Sequence, residues 1–156
     1  MHINVLAIGT RTPDWVDEGV RAYRKRLPRH IELNFRSLSA ENRSRASAAE
    51  QARRLEGDRL IKAIHPAAHT IALDEHGESW SSTQLAQQLE TWMAQYPQVA
   101  LLIGGADGLS DTCKQRADRM WSLSPLTLPH ALVRVVVAEQ LYRAWTLVQG
   151  HPYHRA

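Results

Sequence analysis

The C-terminal tail, His151-Pro152-Tyr153-His154-Arg155, packs two imidazoles, a phenol and a guanidinium into five residues. Groups of these types stack on an unpaired base, neutralise phosphate and move protons near neutral pH. Upstream, His130, Arg134, Glu139, Gln140 and Arg143 interrupt an otherwise very apolar stretch, with Glu139 and Arg143 at the i, i+4 spacing of a helical ion pair. An arginine so placed is either consumed by that pair or kept for an anionic ligand, and spacing leaves both readings open. Further back, Gly104-Gly105-Ala106-Asp107-Gly108 follows an apolar run. Residues without Cβ let backbone N–H and C=O groups approach a flat ligand. The glycine spacing matches neither a dinucleotide fingerprint nor a P-loop, so a plain strand-to-helix turn is an equal alternative. In Leu123-Ser124-Pro125-Leu126-Thr127-Leu128-Pro129 the two prolines forbid regular helix or central strand, while Leu123, Leu126 and Leu128 predict burial. A buried irregular segment needs partners for its backbone polar groups, which an adenine ring supplies; a rigid loop between helices is the plainer alternative. The lone Cys113, beside Lys114 on a polar helix, reads as inert.

The elements that must position these groups alternate. Ile3 to Ile8 is a β-branched apolar run closed by Gly9, and Thr12-Pro13 supplies an N-cap and a first-turn proline for a helix ending before Pro28. Ile31, Leu33 and Phe35 alternate with polar residues, as in a half-buried strand. A long helix is expected from Ser44 to Ile64, with Ala48, Ala52, Leu55, Leu60 and Ile64 as its apolar stripe. Thr70 to Leu73 reads as a buried strand ending in Asp74-Glu75-His76-Gly77, and Ser82 as the cap of a helix carrying Leu85, Leu89, Trp92 and Met93. Val99 to Ile103 is a third apolar strand, followed by the glycine loop, a short polar helix, the segment Trp121 to Leu128, and a helix from about His130 to Gln149. Continuous apolar strands alternating with helices predict an α/β domain over residues 1–156, a mainly parallel sheet with helices on both faces. Ligands of such sheets bind beyond the carboxyl ends of strands, here Leu73-Asp74, Gly104-Gly105 and the Ser122 to Leu128 segment. The last helix is apolar on more than one face, and a second subunit would cover the surplus.

Composition excludes several classes. With 44% hydrophobic and 22% charged residues and no apolar run near 18 residues, this is a globular chain with no spanning segment, expected in the cytoplasm. One cysteine permits no internal disulfide, and no metal is expected. Charge is unevenly divided: residues 1–70 carry 13 Lys and Arg against 8 Asp and Glu, whereas residues 71–156 carry 6 against 8. A basic half suggests a polyanionic partner, although a solvated helix face would look the same.

Several of these runs resemble one family. Leu102-Ile103-Gly104-Gly105-x-x-Gly108-Leu109, Trp121-Ser122-Leu123-Ser124, Leu126-Thr127-Leu128-Pro129-His130, Arg134, Glu139, Leu141-Tyr142-Arg143-Ala144 and Tyr153-His154-Arg155 are similar to those of the bacterial ribosomal RNA large-subunit methyltransferase H family. Gly9-Thr10 and Pro13-Asp14-Trp15-Val16 fit as well, so the resemblance spans the whole chain. It implies a SPOUT-superfamily fold with a deep trefoil knot in the C-terminal half, which general topology rules would argue against. It also implies a homodimer that transfers the methyl group of S-adenosylmethionine to N3 of a pseudouridine in 23S rRNA of the assembled ribosome. By position, the cofactor contacts would be Leu73, Gly104, Leu123, Ser124, Pro125, Leu126, Thr127 and Leu128, with Arg134, Tyr153 and Arg155 facing RNA. His130, Arg143 and His154 are then the candidates for removing or acidifying the N3 proton, unranked by sequence. A knotted tRNA methyltransferase would share the cofactor loops, and a non-catalytic ribosome-binding factor would share only the basic half.

Overall fold

The structure, a computed structural model, describes residues 1–42 and 48–155, with the backbone alone for the last two. Its elements run β1 (His2–Ile8), α1 (Asp14–Arg24), β2 (Glu32–Leu38), α2 (Ala48–Ala63), β3 (His69–Ser79), α3 (Ser82–Gln95), β4 (Gln98–Ile103), α4 (Asp111–Arg116), β5 (Arg119–Ser122) and α5 (His130–Gln149), then a 3₁₀ turn over Pro152–Arg155. The five strands form one sheet in the order β2-β1-β4-β3-β5, with every pairing parallel.

Strand residues alternate between two faces, and the sheet uses both. Ile3, Val5 and Ala7 of β1, Ile71 of β3, and Val99, Leu101 and Ile103 of β4 pack with Val16, Val20, Leu85, Leu89, Trp92, Val137, Leu141 and Ala144. Leu6, Ile8, Ala72, Ala100 and Leu102 face the other way, onto Leu60, Ile64, Leu109 and Cys113. So α1, α3 and α5 cover one face and α2 and α4 the other. Connections through α1 and α3 step along the sheet in one direction, and those through α2 and α4 step back. That division is what a single crossover handedness requires. At Gly57 of α2 a Cβ would lie 2.2 Å from Ser110 Oγ, so glycine is what lets α2 close upon the start of α4.

Local chemistry differs from expectation at several ends. Helix α1 begins at Asp14 with Pro13 in the cap position, and Thr12 Oγ1 donates to Asp17 Oδ1 (2.8 Å) instead of capping the backbone. Ser81, not Ser82, caps α3, reciprocated by Gln84 in a capping box. Strand β3 runs on to Ser79 because a register shift between Leu73 and Glu78 lets its second half rejoin β5. Of the expected segment Trp121 to Leu128 only Trp121 and Ser122 are strand, at the end of a β5 that begins at Arg119; the rest leaves the sheet edge as a loop, as its prolines require. On α2, Ala52 and Leu60 are buried as expected, as is Ile64 just past its end, but Leu55 is exposed, while residues 44–47 of the expected helix lie outside the described residues. Cys113 is fully buried, its thiol pushed up by burial and donating to the Gly57 carbonyl (3.4 Å), which leaves no nucleophile.

Candidate active site

Three strand ends meet around one cleft of about 560 Å³. Leu73 and Asp74 come from β3, Ile103 and the loop 104–109 from β4, and Trp121 to Ser124 with Leu126, Thr127 and Leu128 from β5 and its exit. His130, the first residue of α5, also lines it. Of the residues expected to hold a cofactor, only Pro125 stands outside the lining.

The glycine loop owes its shape first to itself. A Cβ on Gly104 would sit 2.5 Å from the Gly108 carbonyl carbon and 2.8 Å from Leu109 N, so the loop folds back on its own backbone there. Gly108 N donates to Gly105 O (3.0 Å), and Gly108 takes φ +78°, where a side chain would be strained. Opposite, Ser122 Oγ donates to Ser124 O (3.2 Å) and Leu126 N to Ser124 Oγ (2.9 Å). Serine side chains thus meet backbone needs that sequence assigned to a ligand. The expected burial of Leu126 does not hold: it is 75% exposed, and Leu123 and Leu128 are only half-buried. Bending away from the sheet edge leaves Leu126 in the open, while Leu123 still packs against the core, and the three leucines line the cleft.

The charged lining was not legible beforehand. Asp74, at the first of the strand ends, accepts from His76 N (2.9 Å) and pairs with Lys114 Nζ of α4 (3.3 Å). Nothing in sequence links positions 74 and 114; adjacency of β3 and α4 does.

A second cluster forms where the tail returns to α5. Gly150, at φ +68°, ends the helix, and His151 N donates back to Thr146 O (2.8 Å). Tyr153 then reaches α5: its hydroxyl donates to Glu139 Oε1 (3.0 Å) and its ring meets that of Tyr142 edge-on at 4.6 Å. Arg143 Nε donates to Glu139 Oε1 (2.9 Å), its Nη2 forms an ion pair with the same oxygen (2.7 Å), and its guanidinium lies 5.0 Å from the Tyr153 ring centre. The helical ion pair that the spacing allowed is formed here. Burial, then the Glu139 carboxylate, pushes the Tyr153 phenol well above its ordinary pKa, so it stays a donor. The side chains of His154 and Arg155 lie outside the described residues.

Arg134 points inward. It is 7% exposed, giving Nη1 to Ser37 Oγ (2.8 Å) and Nη2 to Gly9 O (2.7 Å), and so ties α5 to the ends of β1 and β2. Contact with RNA would require it to break those bonds.

The two clusters are far apart. Thirteen residues separate His130 from Arg143 on one helix, a rise of about 20 Å. Within one chain, the cleft sits at the carboxyl ends of the strands and the tail near the opposite end of α5.

A model of SPOUT methyltransferases matches residues 1–154. Full-length relatives agree: the ribosomal RNA large subunit methyltransferase H of Hahella chejuensis is 48% identical over 155 residues, covering 99% of each chain. That of Methylococcus capsulatus is 48% identical over 155 residues, 99% of this chain and 100% of its own. This chain belongs to the SPOUT methyltransferases, within the large-subunit methyltransferase H family. More distant SPOUT-like folds include TrmJ of Z. mobilis, with a TM-score of 0.53 at 20% identity over 94% of this chain and 70% of that one. A Legionella pneumophila protein solved with bound SAM gives 0.53 at 13% identity, over 93% of this chain and 66% of its own. In this SPOUT methyltransferase the cleft lies beyond the carboxyl ends of the strands, the general place for ligands of open parallel sheets.

Proposed function

We propose that this methyltransferase modifies N3 of a pseudouridine in 23S rRNA of the assembled ribosome, as a homodimer in the cytoplasm. S-adenosylmethionine is the methyl donor, carrying an electrophilic methyl group on its sulfonium. The observation that carries the reading is one cleft built from three strand ends, in a chain matched end to end by large-subunit methyltransferase H relatives. The cleft fits that cofactor: its volume lies in the ordinary ligand range, half-buried and exposed leucines offer apolar cover, and the 104–109 and 123–128 loops bring backbone polar groups to its rim. Leu73, Gly104 and the segment Leu123, Ser124, Pro125, Leu126, Thr127 and Leu128 would hold it.

A neutral imide nitrogen has no free lone pair, so the N3 proton must leave. Arg143, braced by Glu139, would stabilise the imide anion electrostatically, and His130 or His154 would take the proton. Tyr153 and Arg155 would stack on and anchor the RNA. Arg134, held by Gly9 and Ser37, would act by fixing α5 to the sheet unless RNA draws it out.

The separation of the clusters along α5 gives the dimer a task. If two α5 helices pack together, the tail of one subunit can reach the cleft of the other. Half-buried Leu132, Val133 and Val136, with Trp15 (55% exposed) at the start of α1, supply apolar surface for such packing. A trefoil knot accords with the path of the chain. From β5 at the sheet edge it must travel about 14 Å, three strand spacings, to bring Arg134 to the ends of β1 and β2. That route crosses the carboxyl ends of β3 and β4. The function is tested by mass spectrometry of 23S rRNA from cells with and without the protein, and by methylating ribosomes lacking the mark. An unchanged pseudouridine in both experiments refutes the assignment.

A further inference from the structure

Five of the 13 cations in residues 1–70 gather at one place in the fold. Arg21, Arg24, Lys25, Arg26 and Arg29 line the last turn of α1 and the turn beyond it, and all are exposed. Among the described residues none of the five has an acidic side chain within ion-pair distance. The acidic residues of α1, Asp14, Asp17 and Glu18, stand at its other end. The helix dipole accounts for Arg21 and Arg24 in the last turn. It does not account for Lys25, Arg26 and Arg29, which lie past the helix.

This patch is continuous with the tail cluster. The Arg26 guanidinium lies 5.8 Å from the Tyr23 ring centre and 5.7 Å from that of Tyr142. Tyr142 in turn stands against both Tyr23 and Tyr153. A chain of rings therefore joins the exposed cations to Arg143 and Glu139. Exposed cations without an acidic partner, bordering the half-buried rings of Tyr23 and Tyr153, form a surface suited to nucleic-acid phosphates.

We propose that the end of α1 and its following turn form the phosphate-contacting surface of this enzyme, gripping rRNA backbone beside the target nucleotide. The proposal rests on the rRNA reading above and adds where the RNA lies. Positioning through phosphate contacts suits a short chain whose net charge is only +3, because a few concentrated cations replace a separate binding domain.

The test is the triple variant R24A/K25A/R29A, with R36A/R54A/K62A as a control removing equal charge from exposed positions elsewhere. Filter binding to large ribosomal subunits across a salt series, and steady-state methylation, are measured for both and for the wild type. The patch variant should bind with a log Kd against log salt slope shallower by about 2 to 3 and a KM about tenfold higher. Its kcat at saturating ribosomes and its S-adenosylmethionine affinity should stay within about twofold of wild type, and the control should move little. Wild-type slope and KM in the patch variant, or equal losses in the control, would overturn the proposal while leaving the rRNA function standing. A wild-type protein that neither binds nor methylates ribosomal subunits would remove both.

Discussion

Glu139 shows how one carboxylate organises a site. It accepts from Arg143 and from Tyr153, joining the helix to a tail residue 14 positions further on. Arg143 is thereby held in one orientation before any substrate arrives, which is what electrostatic stabilisation of a developing anion requires. Arg143→Ala should lower ribosome methylation on the order of 100-fold while cofactor affinity, measured by calorimetry, changes by no more than a few fold. A rate within threefold of wild type would show that the guanidinium only braces Glu139. At the amino end of β3, His69 stacks on Tyr96 at 4.2 Å and lies 3.5 Å from Asp118. Burial holds its imidazole below the ordinary 6.5, Asp118 opposes this, and Arg119 adds to it. The unfolded chain then binds the proton more readily than the native state. The stabilisation from neutral His69 is fully present above pH 6.5 and is lost as pH falls from there through the folded pKa. The urea midpoint should drop between pH 7.5 and 5.5, and drop less in His69→Gln; an identical drop would assign the effect to other groups.

At the scale of elements, two glycines hold pieces together that sequence spaces far apart. Gly57→Ala puts a Cβ against Ser110 Oγ, the oxygen that accepts from Cys113 N to cap α4. Overpacking of this kind costs about 1–3 kcal/mol, and loss of the cap adds to it. Urea unfolding should show the loss, and an unchanged midpoint would mean that α2 and α4 separate freely. Gly104→Val is expected to abolish cofactor binding through the loop's own backbone, with the Gly105–Gly108 turn forced open. Calorimetry on the folded variant checks this, and wild-type affinity would show that the turn does not shape the ligand site. Glycine at 104 was legible as a place without room for a side chain; the obstacle itself, Gly108, needed the fold. Similarly the register shift in β3 was hidden, because Gly77 reads as the end of a strand. In the structure a Cβ there would meet Trp121 N at 2.6 Å, so that glycine lets β3 continue along β5.

At the scale of the molecule, the proposed reaction needs both cleft and tail, which lie about 20 Å apart on α5, and a dimer would bring them together. Light scattering at micromolar concentration should report twice the 17.6 kDa chain mass. Mixing inactive Arg143→Ala with inactive Gly104→Val protein, under conditions that exchange subunits, should restore methylation, because each mixed dimer pairs one sound cleft with one sound tail. Two dead parents that stay dead after proven exchange would place each complete site within one chain.

Sequence by itself determined the alternation of strand and helix, the two-faced apolar strands, the strand ends that bear the cleft, and the concentration of chemistry in α5 and the tail. These follow from local periodicity, from glycine and proline punctuation, and from side-chain type, which are properties of neighbours along the chain. The tertiary structure alone decided which distant groups meet: Asp74 with Lys114, Arg134 with Gly9 and Ser37, Tyr153 with Glu139, Gly57 with Ser110. It turned Arg134 inward and left Leu126 in the open, against the expectation of a cation outside and a leucine within. The reason is that burial and pairing depend on the strand order β2-β1-β4-β3-β5 and on the return of α5 across the sheet. Those are settled by summed packing over the whole chain, and no stretch of residues carries them alone.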